Sequence, residues 1–118
     1  MKRARVPHVS NLRRGIPAAA STFAALGDAT RLSLLTRLSR GQRCSIAQLT
    51  HGSHLTRQAI TKHLRVLARA GIVRCRQSGR EMLYEFQPQP IVEMHAYLEQ
   101  VSHQWDQALA RLKAFVEQ

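Results

Sequence analysis

The sequence predicts a mainly α (α+β) fold: four short helices, one β-hairpin and a long C-terminal helix. Three observations carry this. Apolar residues recur at helical spacing in segments that stop at Gly27, Gly41, Gly52 and Gly71. The period then changes from 3.6 to 2 after Gly71, and from Ile91 a heptad runs almost to the end. Aromatic residues make up only 5% of the 118 residues, so aliphatic side chains must fill the core, which suits packed helices.

In chain order, residues 1–16 read as a basic, mobile arm, and residues 17–118 as a single domain. After Pro17, "AAASTFAALG" offers a short helix with Phe23 and Leu26 on one side. "DATRLSLLTRLSRG" follows, with Asp28 as N-cap, Leu32, Leu35 and Leu38 on one face, and Gly41 as the stop. Ser45 caps a third helix, in which Ile46 and Leu49 point inward and Gly52 ends the run. Thr56 caps a fourth over roughly 57–70, anchored by Ile60, Leu64 and Leu67 at i, i+4, i+7. In "IVRCRQSGREMLYEF", Val73 and Cys75 alternate with Arg74 and Arg76, and Met82, Tyr84 and Phe86 share a face. Ser78-Gly79 is read as the turn of a hairpin with a basic tip. The final helix places Ile91, Met94, Leu98, Val101, Trp105, Ala108, Leu112 and Phe115 at alternating steps of 3 and 4. A narrow stripe of that length exceeds what so small a domain needs internally, so it is expected to pack against a second copy.

Charge is segregated along this frame. The formal net charge is +11, yet residues 28–80 carry eleven basic residues against Asp28 alone, while residues 81–118 carry six acids against Arg111 and Lys113. An excess of this kind points to an anionic partner, either nucleic acid or an acidic membrane surface. No apolar run approaches the roughly 20 residues that span a bilayer, and no apolar signal core follows the basic start. Cys44 and Cys75 form no CxxC pair, so a reduced, cytoplasmic setting is the default reading.

Two short helices, the second capped and basic, followed by a basic hairpin, make the winged helix-turn-helix plan. With Ile60, Leu64 and Leu67 facing the core, the opposite face displays Arg57, Gln58, Thr61, Lys62 and Arg65. The N-terminal residues of such a helix reach base edges in the major groove. Arg57 suits guanine there and Gln58 adenine. Thr56, Thr61, Lys62 and Arg65 suit phosphates, and Arg76, Gln77 and Arg80 of the hairpin suit the backbone or a neighbouring minor groove. The segments "LGDATRLSLLTRL", "LTRQAITKHLRVLARAGIV" and "SGREMLYEF", in this order over residues 20–118, resemble the ArsR/SmtB-type bacterial transcriptional repressors. The resemblance implies a homodimer held by its first and last helices. That places Phe23 with Ile91, Met94, Leu98, Val101, Trp105 and Leu112 at the interface. It also implies binding of an inverted repeat in double-stranded DNA, and repression relieved by an inducer, small molecule or metal, that weakens this binding. The rival readings are a nonspecific architectural nucleic-acid-binding protein, for which charge alone suffices, and a protein–protein module built on the last helix.

The resemblance directs attention to metal ligands. Where the arsenic-sensing pattern has cysteines in CxC, this chain has Ser45 and Ala47, and Cys44 lies one residue off. Near the last helix, His95, Glu99 and His103 fall at i, i+4, i+8, and their types suit zinc. The eight-residue interval from His95 to His103 is about one turn shorter than the zinc-sensing pattern. The stripe therefore reads as solvated, with neither metal nor cofactor expected. Cys44 and Cys75 would form a redox switch only if folding joins them. The acids are scattered, no serine sits in a nucleophile elbow and no Gly-rich phosphate loop precedes a helix, so no enzyme is expected.

Overall fold

The computed structural model describes the backbone of residues 9–117 and the side chains of residues 15–117. Five helices and three strands follow in order: α1 (Val9–Leu26), α2 (Ala29–Leu38), β1 (Cys44–Ser45), α3 (Ile46–Thr50), α4 (Arg57–Arg69), β2 (Val73–Ser78), β3 (Glu81–Phe86) and α5 (Gln89–Val116).

The core forms where α4 meets α2, α3 and the sheet. Leu38, Leu49, Ile60, Leu64, Leu67 and Ile72 are fully withdrawn from water, each contributing about 1.5–3 kcal/mol relative to exposure. Around them lie Ala25, Leu34, Leu35, Cys44 and Val73, with Leu55, Tyr84, Phe86 and Ile91 packed from outside. Caps set the helix starts as expected. The Asp28 carboxylate accepts from Arg31 N at 3.0 Å, and the Thr56 hydroxyl accepts from Ala59 N at 3.1 Å. Ser45 adds a reciprocal box with Gln48: Gln48 N donates to Ser45 Oγ, and Ser45 N donates to Gln48 Oε1. Gly71, at φ +75°, turns the chain so that Ile72 N donates back to Leu67 O.

Four expectations need correction. The first helix begins at Val9 rather than after Pro17, so part of the stretch expected to be a mobile arm, residues 9–16, is helical. Residues 1–8 of that arm lie outside the described residues. Proline removes one helical hydrogen bond, but packing of α1 along α5 outweighs that local loss. In α2 the buried face is Leu34, Leu35 and Leu38, and Leu32 is 48% exposed. A helix with leucines at four positions can roll either way on pattern alone, and contact with α4 selects the roll. The hairpin turn is Gly79-Arg80, one residue later than Ser78-Gly79, because Ser78 pairs with Glu81. Gly79 takes φ +63° at the first central position of a two-residue turn, where glycine fits without strain. Finally, β1 was not foreseen, since two residues carry no readable period. It pairs antiparallel with β3, giving the order β1-β3-β2.

The sheet sorts its residues by face as the alternation requires. Cys44, Tyr84 and Cys75 form a row across three strands on the inner face, with Tyr84 central. On the outer face Glu85, only 15% exposed, sits among three arginines. Arg74 Nε donates to Glu85 Oε1 at 2.9 Å, Arg43 Nε lies 3.1 Å from Oε2, and Arg76 Nη1 is 3.8 Å from Oε1. The Arg74 hydrogen bond, with the charges of Arg74, Arg43 and Arg76, lowers the Glu85 carboxyl below the ordinary glutamate value. A lowered carboxyl stabilises the fold above its unfolded value, and that contribution disappears as pH falls through the folded value. Glu85→Gln is therefore expected to lower the melting temperature at pH 7. The gap to the wild type should close as pH drops below the ordinary glutamate range. Thermal melts across pH check this, and a gap that persists in acid contradicts it.

Candidate nucleic-acid interface

Helix α4 divides into two chemistries. Its apolar ridge is buried, and its other side opens onto solvent with α3 alongside. Ile46 of α3 and Arg57, Gln58, Thr61, Lys62 and Arg65 of α4 line one open groove there. Five of the residues singled out from the sequence are thus brought together, and Thr56 stands at the helix N-terminus beside them. The connection from α3 to α4 runs over residues 51–56. Gly52 adopts φ +76° within it, and Ser53 Oγ accepts from Leu55 N.

The hydroxyls in this set differ in what they can offer. Thr56 Oγ1 spends a lone pair on Ala59 N, so its proton is free for a phosphate oxygen. Thr61 Oγ1 donates to Arg57 O at 2.7 Å. Its proton is used within the helix, and it presents a methyl group and acceptor lone pairs instead. Arg57, Gln58, Lys62 and Arg65 are all exposed. They have no salt-bridge partner among the described residues. Their donors face water, ready for exchange against an anionic ligand.

On the hairpin the three sequence candidates separate. Arg80 lies exposed in the turn, Gln77 Nε2 donates to Gly79 O at 3.4 Å, and Arg76 reaches back toward Glu85. Sequence reading missed Arg43, Arg74 and Glu85. The strand register held the signal, because Arg74 and Glu85 fall directly opposite on the outer face.

The expected interface residues divide as well. Phe23 is exposed on α1. Ile91 packs against the chain's own core, and Met94 lines a crevice with Ala18, Ala19 and Thr22 of α1. The seam assigned from Ile91 onward is therefore split: its first turn serves the protomer itself. Beyond the half-buried Val101, every described side chain of α5 is exposed, including Trp105 at 70% and Phe115 at 75%. This leaves an apolar stripe of Leu98, Trp105, Leu109, Leu112 and Phe115 in water.

The sensor candidates are also located. His95 Nδ1 lies 3.6 Å from Glu99 Oε1, while His103 contacts Gln107. Among the described residues no group of three His, Cys, Asp or Glu side chains is close enough to hold a metal within one chain. Cys44 and Cys75 are separated by Tyr84, hence by two strand spacings of roughly 9–10 Å in all. A disulfide needs Cα atoms within about 7 Å, so this geometry does not join them. Burial, then the neighbouring Cys75 thiol across the strand pair, raises the Tyr84 phenol above its ordinary value. Among the described residues no helix is long and apolar enough to cross a membrane.

Comparison with known proteins agrees with this geometry. A family model described as a helix-turn-helix domain matches residues 26–76, the stretch from the end of α1 into β2. The HTH-type transcriptional repressor SmtB of Mycobacterium tuberculosis is 30% identical over 97 residues, which is 82% of this chain and 70% of the relative. The arsenic resistance transcriptional regulator ArsR1 of Pseudomonas putida is 31% identical over 67 residues, 57% of this chain and 52% of the relative. Among solved structures, an ArsR-like transcriptional regulator from Rhodococcus sp. RHA1 superposes with TM-score 0.76 at 36% identity, over 85% of this chain and 93% of that one. The identity to the SmtB repressor over 82% of this chain, with the helix-turn-helix match and the superposition on an ArsR-like regulator, places the chain in the ArsR/SmtB-type family of winged helix-turn-helix transcriptional regulators.

Proposed function

We propose that the chain works as a homodimer that reads an inverted-repeat operator in double-stranded DNA and represses transcription by occupying it. One observation carries this reading: the solvent face of α4 gathers Arg57, Gln58, Thr61, Lys62 and Arg65 in one groove with no acid among them. A basic face by itself binds any polyanion. Here the helix is rigidly seated, its N-terminus carries the side chains with paired donors or acceptors, and those suit base edges. In this reading Arg57 pairs with guanine and Gln58 with adenine, while Thr56, Lys62 and Arg65 take phosphates and Arg80 extends the contact from the wing.

Dimerisation follows from α5. Trp105, Leu109, Leu112 and Phe115 stand exposed, with nothing among the described residues packed over them. An apolar stripe on a rod about 42 Å long is what a second copy of the same helix would cover. Two recognition helices related by a two-fold axis would then meet two half-sites of a palindrome.

Three measurements test this. Arg57→Ala should weaken binding to a selected operator by about 1–3 kcal/mol and relax preference at one base pair, read by competition titration. Lys62→Ala should instead weaken operator and random duplex alike, and flatten the salt dependence by about one unit of slope. Equal affinity of the wild type for operator and random DNA would leave only nonspecific, architectural binding. Trp105→Glu should give monomers by sedimentation velocity and lose the tight operator complex. A stable dimer in that variant would show the seam to be misassigned.

A further inference from the structure

The apolar ridge of α4 sets which face of the helix points inward, but burial is not directional and leaves the fine roll within that orientation less sharply defined. The roll decides which side chains reach a groove. A polar contact on the flank of α4 supplies the missing direction. Arg31 of α2 donates from Nε to Ala25 O at 2.5 Å and from Nη2 to Ala24 O at 3.3 Å, gripping the carbonyls at the end of α1. Its remaining Nη1 lies 3.3 Å from His63 Nδ1 on α4. A guanidinium has no acceptor, so a hydrogen bond between these two atoms makes Nδ1 the acceptor and leaves the ring proton on Nε2. Asp28 completes the node. Its carboxylate caps α2 and stands 3.7 Å from the same Nδ1. The Arg31 N–H, followed by the charge of Arg31, holds the Asp28 carboxyl below its ordinary value.

We propose that His63 is a positioning residue for DNA reading: through Arg31 it ties the roll of α4 to the end of α1, and so to the α1–α5 pair. His63 does not line the groove. Its effect on DNA passes through the orientation of Arg57 and Gln58, so a displacement of α1 along α5 reaches the reading helix by this link. The inference rests on the DNA-reading function proposed above, and it also identifies where a change at the dimer helices would be felt.

Three variants separate positioning from mere stability. Asparagine places its Oδ1 near the position of His Nδ1 and can accept from Arg31, whereas glutamine mimics Nε2 and alanine mimics neither. His63→Ala and His63→Gln are expected to lose about tenfold in operator affinity, the scale of one hydrogen bond to a charged group. Affinity for random duplex should not change, because the basic face is intact. His63→Asn should restore most of the operator-to-random ratio. An Ile72→Val control, destabilised in the core outside α4, should lower the melting temperature and keep the ratio. The proposal is overturned if folded His63→Ala keeps the wild-type ratio, if His63→Asn fails as badly as His63→Ala, or if Ile72→Val lowers the ratio equally. Nitrogen shifts of His63 in the free wild-type protein at pH 8 test the link without DNA: the Nε2–H tautomer supports it, and Nδ1–H refutes it. A wild type that does not distinguish operator from random duplex refutes the operator reading, and the tautomer then decides the link separately.

Discussion

Helix α4 is seated by three side chains, Ile60, Leu64 and Leu67, and most of the molecule is arranged around that seat. All three are fully buried against α2, α3 and the start of β2. Because they occupy one side of a helix, their burial forces the other side outward, and every basic residue there follows. The N-cap at Thr56 and the left-handed Gly71 define how much helix is presented. The capping box of Ser45 and Gln48 does the same for α3, which forms the other wall of the groove. Without the ridge, the charges would belong to a flexible polycation with affinity but no register.

The polar contacts do a different kind of work. Burial holds elements together, while directed bonds at Asp28, Arg31 and His63 relate α1, α2 and α4 at defined angles. On the far side of the sheet, Glu85 plays a similar part for Arg43, Arg74 and Arg76. These arginines are all about half exposed, so the pairings gain little from Coulomb attraction alone. What they supply is geometry: three long side chains are drawn toward one carboxylate and kept from wandering. The wing therefore reaches its tip on a cross-braced base, and Arg80 in the turn is its most freely available cation.

Much of this was legible in the residues. Asp28, Ser45 and Thr56 announced helix starts because a side-chain oxygen before an apolar-periodic run has an obvious use. The i, i+4, i+7 pattern of α4 predicted both its buried ridge and its basic face. The alternation around Cys75 and Tyr84 predicted the faces of the hairpin. Other features had no local signature. A two-residue β1 is too short to show a period, and the turn was displaced by one residue because both Ser78-Gly79 and Gly79-Arg80 suit a tight turn. Pro17 looked like a beginning because local chemistry opposes proline within a helix, and packing against α5 overrode it.

By itself the sequence determined the helices and the hairpin, their order, the placement of charge and the chemistry available on α4, since each depends on neighbours within a few positions. Only the tertiary structure decided which leucines of α2 point inward, that the heptad divides into a part serving its own chain and a part left uncovered, and that Tyr84 keeps Cys44 from Cys75. It alone brought His63 to Arg31, 32 positions away. Such pairings depend on how helices cross and roll, and those angles are set by the whole core at once.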